Sequence, residues 1–134
     1  MRFPTSLVFS LMLVGCGSTI QSRVLPLPEA DRAAIKSDDL GLFNYLTYNQ
    51  WYAKLDNICQ RPGSFSAEKF ARLYTQRIDQ VLAYLMAKYD RADVARASLR
   101  PETYGCGLPA DQLGAIPRVE AALTEFERRR TLTP

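Results

Sequence analysis

From Ala67 to Tyr89 the apolar side chains recur with helical spacing. Phe70, Tyr74, Ile78, Val81, Leu82, Leu85 and Tyr89 share one stripe, while Arg72, Gln76, Asp79 and Gln80 face away. Ser66 stands at the N-cap position, and Phe65 and Phe70 have the spacing of a hydrophobic staple across it. No run of alternating Val, Ile or Thr reads as a strand, and no internal repeat is visible. The pattern predicts an all-α fold: a small helical bundle of about three main helices with short extra ones.

A second long helix is expected from about Asp38 to Cys59, with Ser37-Asp38-Asp39 offering cap chemistry. At 100° per residue, Leu40, Phe43, Trp51, Leu55 and Ile58 form one broad face, edged by Tyr45, Tyr48, Tyr52 and Cys59. Asn49, Gln50, Asp56 and Asn57 fall opposite and share that side with Leu42, Leu46 and Ala53. The helix is therefore expected to sit between neighbours or to offer its second strip to a partner. Gln60-Arg61-Pro62-Gly63 ends it. Shorter helices are expected over Glu29–Lys36 and Ala110–Ile116, and Asp90–Leu99 is expected to form another helix or to extend the preceding one with a bend. A loop over 100–109 holds Cys106 between two glycines. Pro117 is expected to open the last helix, lined by Val119, Ala122, Leu123 and Phe126, with Arg128, Arg129 and Arg130 at its negative dipole end.

The 134 residues suit one compact domain and are too few for two well-buried cores. The chain contains no His, which removes Ser-His-Asp triads, Cys-His dyads and His-ligated metals together; three Cys cannot build a four-thiolate zinc site. A net charge of +3 is not the clustered basic footprint of a nucleic-acid binder. No metal, cofactor or nucleic acid is expected.

The N-terminus carries a different kind of signal. Met1-Arg2 gives a positive start, and Leu7 to Val14 is apolar but for Ser10. That run is too short to span a ~30 Å hydrocarbon layer, but has the length of a signal-peptide core. It closes on Leu13-Val14-Gly15-Cys16, and here the chain resembles the bacterial lipoprotein precursors, matching all four positions of their lipobox. The resemblance covers the first sixteen residues and implies a signal peptide over 1–15, cleavage before Cys16 and diacylglycerol on its sulfur. It also implies a membrane attachment made durable by two or more acyl chains. Gly17, rather than Asp, follows the cysteine; the resemblance then implies an outer-membrane protein facing the periplasm. Residues 16–28 read as a lipidated tether, 29–130 as the helical domain and 131–134 as a tail. Removing the leader takes one Arg and leaves a nearly neutral +2.

With Cys16 assigned to lipid, Cys59 and Cys106 remain, and in an oxidising envelope compartment two leftover thiols pair most simply with each other. Closing a loop of that length destabilises the unfolded chain by roughly 4 kcal/mol. Nothing resembles the Cys-x-x-Cys of a redox-active pair.

Tyr45, Tyr48, Trp51 and Tyr52, among Asn44, Asn49 and Gln50, form an aromatic and amide-rich stretch that suits sugar stacking or a protein partner, since aromatics are enriched at interface hot spots. The plainer account is a core edge where each ring is buried and each hydroxyl stays wet. Paired carboxylates occur as Asp38-Asp39 and Asp90 with Asp93. Glycan cleavage needs two carboxyls facing one bond, but both sets lie where helices begin, so capping explains them more cheaply. The expectation is a membrane-anchored envelope lipoprotein, non-catalytic, that binds another envelope component, such as an envelope protein, as an accessory subunit or inhibitor. A small glycan hydrolase working through carboxylates is the alternative, and a structural spacer the third.

Overall fold

The computed structural model describes residues 28–98, 105–107 and 114–132. Five helices and no strand occur among them: α1 Glu29–Lys36, α2 Asp39–Ile58, α3 Ala67–Lys88, α4 Arg91–Ala97 and α5 Ala115–Leu132. The expected leader over 1–15, Cys16 and most of the tether lie outside the described residues, as do the expected turn of helix at 110–113 and most of the loop over 100–109.

Each long helix starts and stops for a local reason. Asp38 caps α2 by accepting a 2.8 Å bond from the Gly41 amide, and Gly41 is needed there: a Cβ would lie 2.9 Å from both Asp38 Oδ1 and Ser37 Oγ. α2 ends where Gln60 takes φ 53° and Gly63 φ 80°, left-handed conformations that reverse the chain toward α3. Ser66 caps α3 through the Lys69 amide at 3.1 Å. The staple residues converge on a third ring, with Phe70 4.9 Å and Phe65 6.4 Å from Tyr74, centroid to centroid. α5 begins at Ala115, two residues before the expected Pro117; within the first turn proline's missing N–H costs no helical bond. It continues through Thr131 and Leu132, so the first half of the expected tail is helical.

α2 is the central helix. Its start lies against the ends of α3 and α5, through Asp39 to Lys88 and Arg129, and its middle lies against the start of α5, through Asn49 to Arg118. It therefore runs antiparallel to both. The core joins Leu42 and Leu46 of α2, Tyr74, Val81 and Leu85 of α3, Val94 of α4, and Val119, Ala122, Leu123 and Phe126 of α5. The expected stripe of α3 is thus the buried one. α4 packs across α2, where Asn44 donates to the Ala97 carbonyl.

The expected face of α2 is corrected. Phe43 and Leu55 are buried, but Leu40 and Trp51 are only half-buried and Ile58 is 60% exposed. The buried stripe is instead Asp39, Leu42, Leu46, Asn49, Ala53 and Asp56, which steps by three and four residues along the side read as mostly polar. Each polar member has an arginine partner. Asp39 pairs with Arg129, Arg118 donates to Asn49 Oδ1 at 2.7 Å, and Arg61 donates to Asp56 Oδ1 at 2.7 Å. A buried polar group is tolerated where it is bonded.

Cys59 and Cys106 form a disulfide, with Cα atoms 5.6 Å apart across 47 positions of sequence. It ties the C-terminal end of α2 to the short segment 105–107. Arg61 reinforces the junction, reaching Asp56 with one nitrogen and the Cys106 carbonyl with another at 2.6 Å.

Candidate functional site

A cleft of about 380 Å³ opens between α2 and the start of α3. α2 contributes Thr47, Gln50, Trp51, Ala53, Lys54 and Asn57; the α2–α3 connection and first turn of α3 contribute Phe65, Ala67 and Phe70; Ser98, just past α4, completes the lining. The volume lies near the lower end of the range for small-molecule sites. Antiparallel packing places these groups together, because the turn at 60–64 folds the capped N-terminus of α3 back beside the second half of α2. Three aromatic rings supply stacking surface, while Gln50, Asn57, Thr47 and Ser98 supply hydrogen-bonding groups. Thr47 already donates to the Asn44 carbonyl at 3.0 Å and retains its acceptor capacity. Lys54 is the charged member of the lining, its ammonium 6.0 Å from the Trp51 ring centroid. A second cation borders the cleft: Lys69 sits 4.0 Å above the Phe65 ring.

The four aromatic residues singled out on α2 do not form one surface. Trp51 lines the cleft. Tyr45, Tyr48 and Tyr52 do not; they are half-buried on the other edge of the helix. Tyr45 lies toward α1, packed on the core, and burial first, with the negative charge of Asp31 second, pushes its phenol pKa well up. Lys54 follows Tyr45 by nine residues, which puts it about 180° round the helix. The cleft therefore opens on the side of α2 turned away from α1.

The acidic pairs also separate. Asp38 is the N-cap of α2, and Asp93 pairs with Arg96 one turn away on α4. Asp39, the first residue of α2, turns the other way into the bundle. Its carboxylate accepts from Arg129 and Lys88, each at 2.8 Å, from Tyr84 at 3.0 Å and from Tyr89 at 3.3 Å. Burial by itself raises its pKa, but the bonds from Lys88, Arg129 and Tyr84 outweigh that and hold it below the usual carboxylate value. Arg129 continues to Glu125 and to the carbonyls of Ile35 and Ser37, so one network stitches α1, α2, α3 and α5 at one end of the bundle. With every oxygen engaged, it reads as architecture.

Sequence reasoning missed Gln50, Asn57, Lys54, Phe65 and Phe70 as members of one cleft. The staple at Phe65 and Phe70 was the available signal, since it fixes where the chain entering α3 lies, but the partner face of α2 had been misassigned. Among the described residues no group of three Cys, Asp or Glu is placed to hold a metal ion, and no helix is long and apolar enough to cross a membrane. Compared with known proteins, the chain matches no protein family, no curated protein and no solved structure.

Proposed function

We propose that the chain is a lipid-anchored protein of the bacterial envelope, one that binds another envelope component through the α2–α3 cleft without catalysing its conversion. The observation that carries the reading is the cysteine pattern: Cys59 and Cys106 are joined, which suits an oxidising compartment and leaves Cys16 as the one cysteine outside that bridge. Cys16 is also the residue at which the apolar leader ends, in the sequence Leu13-Val14-Gly15-Cys16. A pairing framework that spares the lipobox cysteine is the arrangement a lipoprotein needs. Its outer- or inner-membrane destination follows from sorting, and Gly17 favours the outer membrane facing the periplasm.

The tether supports the geometry of binding. Residues 17–28 reach about 40 Å if extended. They join the domain at α1, on the far side of α2 from the cleft. The experiment is mass spectrometry of the protein recovered from envelope membranes with and without inhibition of lipoprotein signal peptidase. The expected result is an N-terminal acylated cysteine at position 16 in the first case and a precursor retaining residues 1–15 in the second. Recovery of one unmodified species starting at Met1 under both conditions overturns the anchor.

A further inference from the structure

We infer that the α2–α3 cleft recognises an N-acetylated sugar ring bearing a carboxylate. The inference rests on the cleft being the binding surface of the reading above, and it is independent of lipidation. Size comes first. A cleft of about 380 Å³ takes one or two sugar rings or a short peptide segment, and is too small for the face of a folded partner.

The chemistry of the walls then narrows the class. Trp51, Phe65 and Phe70 line the cleft with aromatic carbon, which suits the apolar C–H face of a pyranose; Phe65 already has Lys69 4.0 Å over its ring and Tyr74 stacked 6.4 Å away. Beside the rings in the lining, Gln50 and Asn57 are seven residues apart on α2, about two turns along the same strip of the helix. Among the described residues no bond engages their side-chain amides, so each keeps a donor and an acceptor for the hydroxyl and acetamido groups of a sugar. Charge complementarity supplies the last element. Lys54 lines the cleft with no acidic partner among the described residues, Lys69 stands over Phe65 at its border, and no carboxylate appears in the lining. Glu68, beside Ala67, is exposed and outside it. The N-terminal turn of α3 adds the positive end of a 22-residue helix on the same side, offset in part by Glu68 in that turn and by the Ser66 cap. An unbalanced positive cleft with stacking surface selects an anionic ligand over its neutral counterpart.

N-acetylmuramic acid and N-acetylglucosamine test this directly, because they share ring and acetamide and differ by a carboxylate-bearing ether. The chain has a single tryptophan, Trp51, and it lines the cleft, so its fluorescence reports occupancy without a label. The full mature protein in detergent micelles is titrated with each sugar, in parallel with calorimetry. Affinities are expected in the roughly millimolar range, as few contacts per ring allow. N-acetylmuramic acid is expected to bind about five-fold tighter than N-acetylglucosamine, and Lys54→Met, at an exposed position, to erase that preference. Asn57→Ala is expected to weaken both sugars. Equal binding of the two sugars by the native chain, or binding of neither, overturns the inference; so does tighter binding of a short peptide with a free C-terminal carboxylate. Crosslinking in cells from position 50 separates the two levels. Capture of an envelope component other than glycan, with no sugar binding in vitro, overturns the ligand assignment and leaves the cleft as a binding surface; capture of nothing overturns both.

Discussion

Replacing Asp39 by Ala removes the acceptor on which four side chains converge. The carboxylate is 7% exposed, and its partner Arg129 is 15% exposed. Removing one member of a buried ion pair costs ~3–5 kcal/mol, chiefly because the other charge is left without compensation. Here the compensation is partial rather than absent. Arg129 keeps Glu125 at 2.8 Å and the Ile35 and Ser37 carbonyls at 2.7 and 2.9 Å, and Lys88, 45% exposed, can turn into water. The cost therefore falls at the low end, about 3 kcal/mol. For a domain of this size that lowers the melting temperature by about 15 °C. The pH dependence follows from the same bonds. Because the folded pKa is depressed, the stabilisation is fully present above the unfolded value of about 3.9 and is lost as pH falls through the folded value. Urea unfolding followed by circular dichroism is expected to separate Asp39→Ala from the native chain at pH 7 and to narrow that gap as the pH falls below the unfolded value of about 3.9. A loss below about 1 kcal/mol at neutral pH, or a gap that persists undiminished in acid, refutes the account of Asp39 as a charged keystone.

Two further outcomes test the frame. Reducing the Cys59–Cys106 bridge is expected to lower stability by roughly 4 kcal/mol and shift mobility between reducing and non-reducing gels; unchanged mobility, with both thiols free in protein taken from the envelope, removes the bridge. Ser66→Ala deletes the cap of α3 and is expected to cost about 1 kcal/mol in urea unfolding, while Ser66→Gly costs only a few tenths.

The fold class and the stripe of α3 were legible because its core-facing apolar residues follow one helical row, with Leu73 and Met86 exposed outside it, and because its cap and staple are local in sequence. The disulfide was legible by elimination once Cys16 was set apart. α2 defeated the same reading. Its core-facing row contains Asp39, Asn49 and Asp56, which count as solvent-facing by type. They are buried because Arg129, Arg118 and Arg61 reach them, two of these from the far end of the chain. Side-chain chemistry alone does not announce a partner 90 or 69 residues away. The cleft was hidden for a related reason. Trp51 was grouped with Tyr45, Tyr48 and Tyr52 by proximity in sequence, whereas helical geometry sends it toward Phe65 and Phe70 on the next element.

α1 has no fully buried residue, yet its C-terminal end is clasped by Arg129 through the carbonyls of Ile35 and Ser37. A pull at Pro28 consequently meets the weakest-seated element first and the clasp last. Eight residues drawn from helix to extended chain lengthen that segment by about 14 Å, and the last of this length comes only as Ile35 leaves the core and its carbonyl leaves Arg129. Under the lipid-anchored reading proposed above, the first helix is the element that yields first to a pull from the membrane, ahead of the helices that line the cleft.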